Sequence, residues 1–211
     1  MSTRTISFNV ARLLVGAVCV FTSASCGGEL LRTGRSPVYL TVEQVAAANG
    51  DSASSFTAFL LSDVQTLIDE VIGGVTVKVP TFFNDNARAT LRVSAKNEVL
   101  VPTLLNAVTI TRYRISFRRT DGRNTPGIDV PYGFDGGTSV TMEVGESAEV
   151  VFEIIRHQAK LEPPLRNLVN GGGLRFISTI ADITFYGHDQ NGNELQATAS
   201  MDVQFGDFAD K

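Results

Sequence analysis

From Leu195 to Phe205 the sequence alternates without interruption. Leu195, Ala197, Ala199, Met201, Val203 and Phe205 are apolar, and Gln196, Thr198, Ser200, Asp202 and Gln204 fall between them. A period of two over this length defines a strand with one dry and one wet face, about 37 Å long at ~3.4 Å per residue. The preceding stretch carries Ile177, Thr179, Ala181, Ile183 and Phe185 in one phase. Residues directly opposite on an antiparallel pair share a face, so parity fixes the turn. A two-residue Asn191-Gly192 loop sets Phe185 against Thr198. A three-residue Gln190-Asn191-Gly192 loop sets Phe185 against Ala197, Ile183 against Ala199 and Ala181 against Met201. Only the second keeps the apolar sets together. It is a type I turn followed by a left-handed residue, with Asp189 at its start. Positive φ is therefore expected at Gly192.

The rest of the chain reads as further strands. Pro37 to Val45 alternates. Val75, Val77 and Val79 form a strand closed by Pro80, and Ala87 to Ala95 another with Leu91 and Val93 inward. Val108 and Ile110 lie in one phase and Tyr113, Ile115 and Phe117 in the other. One extra residue near Thr111–Arg112, a β-bulge, brings both sets to one side. Val140, Met142 and Val144 lead into a hairpin at Gly145-Glu146-Ser147, and Val150, Phe152 and Ile154 return along it. Thr120 to Gly137 is a long connection rich in glycine and proline. Phe56 to Ile72 is ambiguous: its apolar residues fit helical spacing ahead of Gly73-Gly74, and they also fit strands. Pro163-Pro164 before Leu165, Leu168 and Val169 predicts one short helical turn. The expected fold class is all-β: an antiparallel immunoglobulin-like sandwich of about seven strands, with an N-terminal signal segment and one short helix.

The front of the chain is an address. Arg4 and Arg12 precede an apolar run, Leu13 to Phe21, too short to span a bilayer as a helix and suited to a signal peptide. Thr22 to Gly28 are small residues around Cys26. Ala24, Ser25 and Cys26 resemble the lipobox of bacterial lipoproteins, with Ser23 where leucine is usual. The resemblance implies cleavage before Cys26, lipid attachment to it and, with Gly27 following, the outer membrane. Soluble export and an uncleaved anchor are the alternatives. The reading is 1–25 signal peptide, 26–36 tether and 37–211 sandwich domain. Without residues 1–25 the chain holds 16 basic and 22 acidic residues, a net of −6, which gives no general attraction to nucleic acid. One cysteine remains, so no internal disulfide forms.

The Asp189–Glu194 turn resembles the closing hairpin of bacterial immunoglobulin-like domains. More broadly, RYRISFRRTDGRNTPGIDVPYGFDG (112–136) and STIADITFYGHDQNGNE (178–194) resemble uncharacterised bacterial lipoproteins, over about residues 26–208. The cysteine pair and core tryptophan of antibody domains are missing, and the resemblance brings no activity with it.

Chemistry is sparse. His157 and His188 stand at strand ends with no second ligand at metal spacing. No nucleophile elbow, zincin helix or phosphate loop occurs, and Gly171-Gly172-Gly173 reads as a plain connection. No catalytic residue, metal or cofactor is expected. Asp189, Asn191, Asn193 and Glu194, or Asp121, Asn124, Asp129 and Asp135, offer oxygens for a cation. Arg112, Arg114, Arg118, Arg119 and Arg123 place five arginines within twelve residues. They could grip an anionic glycan, a lipid headgroup or an acidic envelope protein. They could equally be a solvated face paired with Glu149, Glu153 or Asp182. The expectation is an exported, lipid-anchored envelope protein acting as a binding or structural module. The alternatives are an accessory subunit of a surface or export assembly, and an enzyme with an unrecognised site.

Overall fold

A computed structural model describes residues 34–52, 54–97, 99, 101–171 and 175–208. Cys26 and the signal segment lie outside them. From Ser36 onward the chain is one compact unit.

The fold is all-β. A three-stranded sheet takes β1 (Val38–Ala48), β5 (Asp85–Ala95) and β8 (Ser147–Ile155), in the order β1-β5-β8. A five-stranded sheet takes β2 (Leu60–Asp63), β6 (Val108–Arg118), β7 (Phe134–Met142), β9 (Phe176–Asp189) and β10 (Glu194–Gly206), in the order β2-β10-β9-β6-β7. Among the described residues, β3 (Thr66–Ile72) and β4 (Val75–Thr81) pair only with each other. The two larger sheets close over one core. Phe152 of β8 meets Tyr113 of β6 at 5.0 Å and Phe185 of β9 at 5.3 Å between ring centroids.

The hairpin register follows parity. Phe185 pairs with Ala197, Ile183 with Ala199 and Ala181 with Met201. Met201, Val203 and Phe205 are buried, while Ser200 and Asp202 are not. The Gly192 N–H donates to the Asp189 carbonyl at 2.9 Å, and φ at Gly192 is +80°. The bulge in β6 falls between Ile110 and Arg112 against both neighbours, and Val108, Ile110, Tyr113, Ile115 and Phe117 are all buried. The Pro163-Pro164 stretch leads into a 3-10 turn at Leu165–Leu168, and a single helical turn, α1 (His157–Lys160), precedes it.

Three expectations are corrected, and the reading left open for Phe56–Ile72 is decided. Among the described residues ten strands form rather than about seven, and β2 runs parallel to β10. Phe56–Ile72 is not a helix: it divides into β2 and β3, because Leu60 and Ser62 face inward beside β10 while β3 leaves the body to pair with β4. Pro80 lies inside β4, opposite Leu67, instead of closing the strand. Met142 and Val150 are not arms of one hairpin. The turn between them carries the chain from one sheet to the other, because the Gly145 N–H donates to the Val93 carbonyl and the Val93 N–H to Glu146, drawing β8 to β5.

The strand directions define two poles. Val38, Ala95, Val108, Asp189 and Glu194 mark one pole, and Ala48, Asp85, Arg118, Phe176 and Gly206 the other. They are about 33 Å apart, the rise along β1 at ~3.3 Å per residue. The chain joins the domain at the first pole, where Pro37 accepts the Lys96 N–H at 2.9 Å. The β3–β4 ribbon leaves from the second, between Asp63 and Asp85.

Candidate functional site

The arginine face is internally matched. Arg114 and Arg118 point outward as expected. Asp135 of β7 accepts from Arg112 at 3.1 Å and from Arg114 at 3.4 Å. Arg118 forms a two-pronged contact with Asp182 at 2.6 and 3.3 Å, and Ser200 donates to the same carboxylate. Arg119 and Arg123 converge on Asp121 at 2.6 and 2.8 Å. Arg112 also lies 4.1 Å over the Tyr186 ring. The two arginines beside Asp121 hold its carboxyl well below the usual 3.8. Burial pushes the Asp182 carboxyl up, but hydrogen bonds from Arg118 and Ser200 outweigh it and leave it lowered. Of the acids foreseen as partners, only Asp182 serves. Glu149 pairs with Arg88 and Glu153 with Arg156.

Neither sequence-marked oxygen set gathers toward a cation. Asp121 and Asp135 hold arginines, Asn124 accepts the Arg119 N–H, and Asp129 accepts the Thr125 N–H. The Asp189 carboxylate closes its own loop, accepting from the N–H groups of Asn191 (3.0 Å) and Asn193 (2.9 Å) and from the Asn193 amide (2.8 Å). Burial acts to raise the Asp189 carboxyl, but these bonds and one from Ser36 bring it below 3.8. A depressed carboxyl contributes stability that is present above the unfolded value and lost as pH falls through the folded one. Thermal midpoints measured from pH 5 to about 2.5 should therefore fall more steeply for the wild type than for Asp189→Asn. Parallel curves would contradict that role. His157 Nδ1 donates to Asn84 Oδ1 at 2.9 Å, and His188 Nδ1 to the Asp189 carbonyl at 3.0 Å. Among the described residues no His, Cys, Asp and Glu cluster suited to a metal is found.

At the ribbon pole lies a polar knot that sequence reasoning missed. Lys160 and Asp85 are fully buried. Lys160 Nζ donates to Asp85 Oδ1 at 2.9 Å and to the Asp63 carbonyl at 2.8 Å. Asp85 also accepts Ser62 Oγ at 2.6 Å and the Gly50 N–H at 2.8 Å. Burial holds the Asp85 carboxyl above 3.8, against the pull of Lys160, Ser62 and Gly50. Asp63 and Asp85 are the last residue of β2 and the first of β5, and the ribbon lies between them. One ammonium thus ties both ribbon roots to the core. The knot is sealed from solvent, so it fastens structure and offers nothing to a substrate. One signal marked it: Asp85 stands in the buried phase of Ala87, Ala89, Leu91 and Val93, where a charge demands a partner.

The ribbon itself is open. Ile68 lies opposite Val79, Glu70 opposite Val77 and Ile72 opposite Val75, so these six share one face. Val71, Ile72 and Val75 near the tip are 58–69% exposed. The other face carries the Asp69–Lys78 ion pair at 3.1 Å. Beside the ribbon root, Phe59, Leu61 and Phe208 line a cleft of about 390 Å³ with Asn49, Asp51 and Thr57.

Comparison with protein-family models, with curated proteins and with solved structures finds no match to this chain. Among the described residues no helix is long and apolar enough to cross a membrane.

Proposed function

We propose that the protein is exported, held at the cell envelope by lipid on Cys26, and acts as a binding or structural module whose contact element is the β3–β4 ribbon. The observation that carries this reading is the set of exposed apolar residues on the ribbon, Ile68, Val71, Ile72, Val75 and Val77, at the pole opposite Pro37. A two-stranded ribbon is marginal alone in water, and apolar groups displayed on one rim mark contact surfaces. The partner we favour is another envelope protein with a groove. One ribbon face covers roughly 200 Å² at ~3.3 Å per residue and ~4.8 Å between strands. That is well short of the ~800 Å² per partner of a stable pair. A finger enclosed on both faces and at its tip comes much closer to that area. The arginine face supports an anionic-glycan role less, because each guanidinium already meets a carboxylate.

The test is a photo-crosslinking residue at Val75 in the full chain, in cells, with Val151 as control. A single adduct of fixed mass is expected from Val75 alone. Ile72→Ser and Val77→Ser, introduced together on the same ribbon face, should abolish it and leave the thermal midpoint unchanged. No adduct from Val75 would sink the ribbon reading, and an adduct of two copies of this chain would replace the partner. Mass spectrometry of the mature N-terminus tests the lipid on Cys26 separately.

A further inference from the structure

The domain carries a second exposed apolar element, at the pole where the chain joins it. The loop from β5 to β6 includes Val99 and Val101, 87% and 86% exposed, and Leu104 and Leu105, 72% and 57% exposed. From Val99 to Asn106 the sequence holds no charged residue. Several of its polar groups are met from within the domain. The Thr103 N–H donates to Asn106 Oδ1 at 2.9 Å, and the Asn106 N–H to the Thr103 carbonyl at 2.9 Å. Asn191 of the hairpin turn donates to the Leu105 carbonyl at 3.3 Å. Each backbone group met in this way lowers the cost of leaving water, and the two leucines stand on this turn, with the Leu104 carbonyl accepting the Ala107 N–H and the Leu105 carbonyl the Asn191 amide.

We infer that this loop, led by Leu104 and Leu105, inserts into the surface of a lipid bilayer beside the attachment point of the chain. The chain outside the domain begins beside this loop. Residues 1–35 join the domain at Ser36. Pro37 touches Lys96 at the root of this loop, and Pro37, Val101, Pro102 and Asn106 line one cleft. A lipid on Cys26 lies only ten residues before Ser36 in sequence, so the inference rests on the anchored reading above. The ribbon is rooted at the opposite pole, between Asp63 and Asp85. Glu143 and Glu146 stand at the loop's own pole, in the turn that pairs with Val93. Lys96 at the loop's root lies over the Tyr39 ring and shares this pole with those acids, so insertion rests on apolar contact and should persist in zwitterionic vesicles and in high salt.

The sequence has no tryptophan, so Leu104→Trp creates a single reporter and Val151→Trp, on the outer face of β8, a control. The full chain with its native N-terminus is reconstituted into phosphatidylcholine vesicles. Leu104→Trp emission should shift to the blue on the vesicles. Lipids brominated about 5–10 Å below the headgroup boundary should quench it, while Val151→Trp does neither. Protein that floats with the vesicles but keeps water-exposed Leu104→Trp emission overturns the inference and leaves the lipid anchor standing. Quenching in protein whose Cys26 is unmodified by mass spectrometry upholds the inference and removes the anchor. A blue shift without vesicles that grows with protein concentration means a second copy covers the loop, and overturns it.

Discussion

Lys160→Ala is expected to lower the unfolding free energy by about 3–5 kcal/mol, the usual loss when one partner of a buried ion pair is removed. For a domain of this size each kcal/mol moves the thermal midpoint by roughly 2–4 °C, so the drop should be plain in a calorimetric or urea-melt comparison. The reason is geometric. Asp85 keeps Ser62 and Gly50 but loses its cationic contact, and the Asp63 carbonyl loses the Lys160 donor. The pH dependence has a definite sign. Asp85's carboxyl is already raised above 3.8 by burial, and removing Lys160 raises it further. A raised carboxyl favours the folded state below its unfolded value and loses that contribution as pH rises through its folded value. The deficit of Lys160→Ala should therefore be smallest in acid and grow toward neutrality. The double variant Lys160→Met/Asp85→Leu should lie closer to wild type than either single change, because no charge is left stranded. A deficit independent of pH, or a double variant as weak as the sum of the singles, would show that the knot is not coupled in this way.

What could be read from the sequence was whatever burial imposes with a period of two. The Phe185–Ala197 register and the Ile110–Arg112 bulge follow from parity alone, because one face of each strand meets the core. Phe56–Ile72 escaped that logic. β2 is only four residues long, and β3 exposes apolar residues in both phases, so no single dry face was written into it. The step from β7 to β8 escaped because a glycine turn has the same sequence whether the next strand folds back on its neighbour or crosses to the facing sheet. The arginine face was half legible: its outward phase and Asp182 could be foreseen, whereas Asp135 and Asp121 depend on how the long connection folds. Lys160 carries no local mark of burial at all. Its partner lies 75 residues earlier, and only the inward parity of Asp85 hinted that a cation was needed.

Gly187→Ala is the second substitution expected to act strongly, and it tests the bulge directly. Gly187 sits in β9 in phase with Phe185 and Asp189, opposite Ile110 where β6 takes up its extra residue. A Cβ there would stand 2.4 Å from the Thr109 carbonyl oxygen and 3.1 Å from the Ile110 Cα. Both are backbone atoms, held in place by pairing to β7 on the far side. No rotamer relieves the clash, so β6 and β9 must part. Overpacking of this kind costs about 1–3 kcal/mol, and here the loss should come with faster amide exchange from Val108 to Arg112, where the ladder is already shifted. Gly137→Ala provides the contrast, since a Cβ there meets nothing within 4 Å. That change should leave stability within about 0.5 kcal/mol of wild type. If Gly187→Ala were equally silent, the close approach of β6 to β9 would be wrong, and with it the register that brings Tyr113, Ile115 and Phe117 into the core.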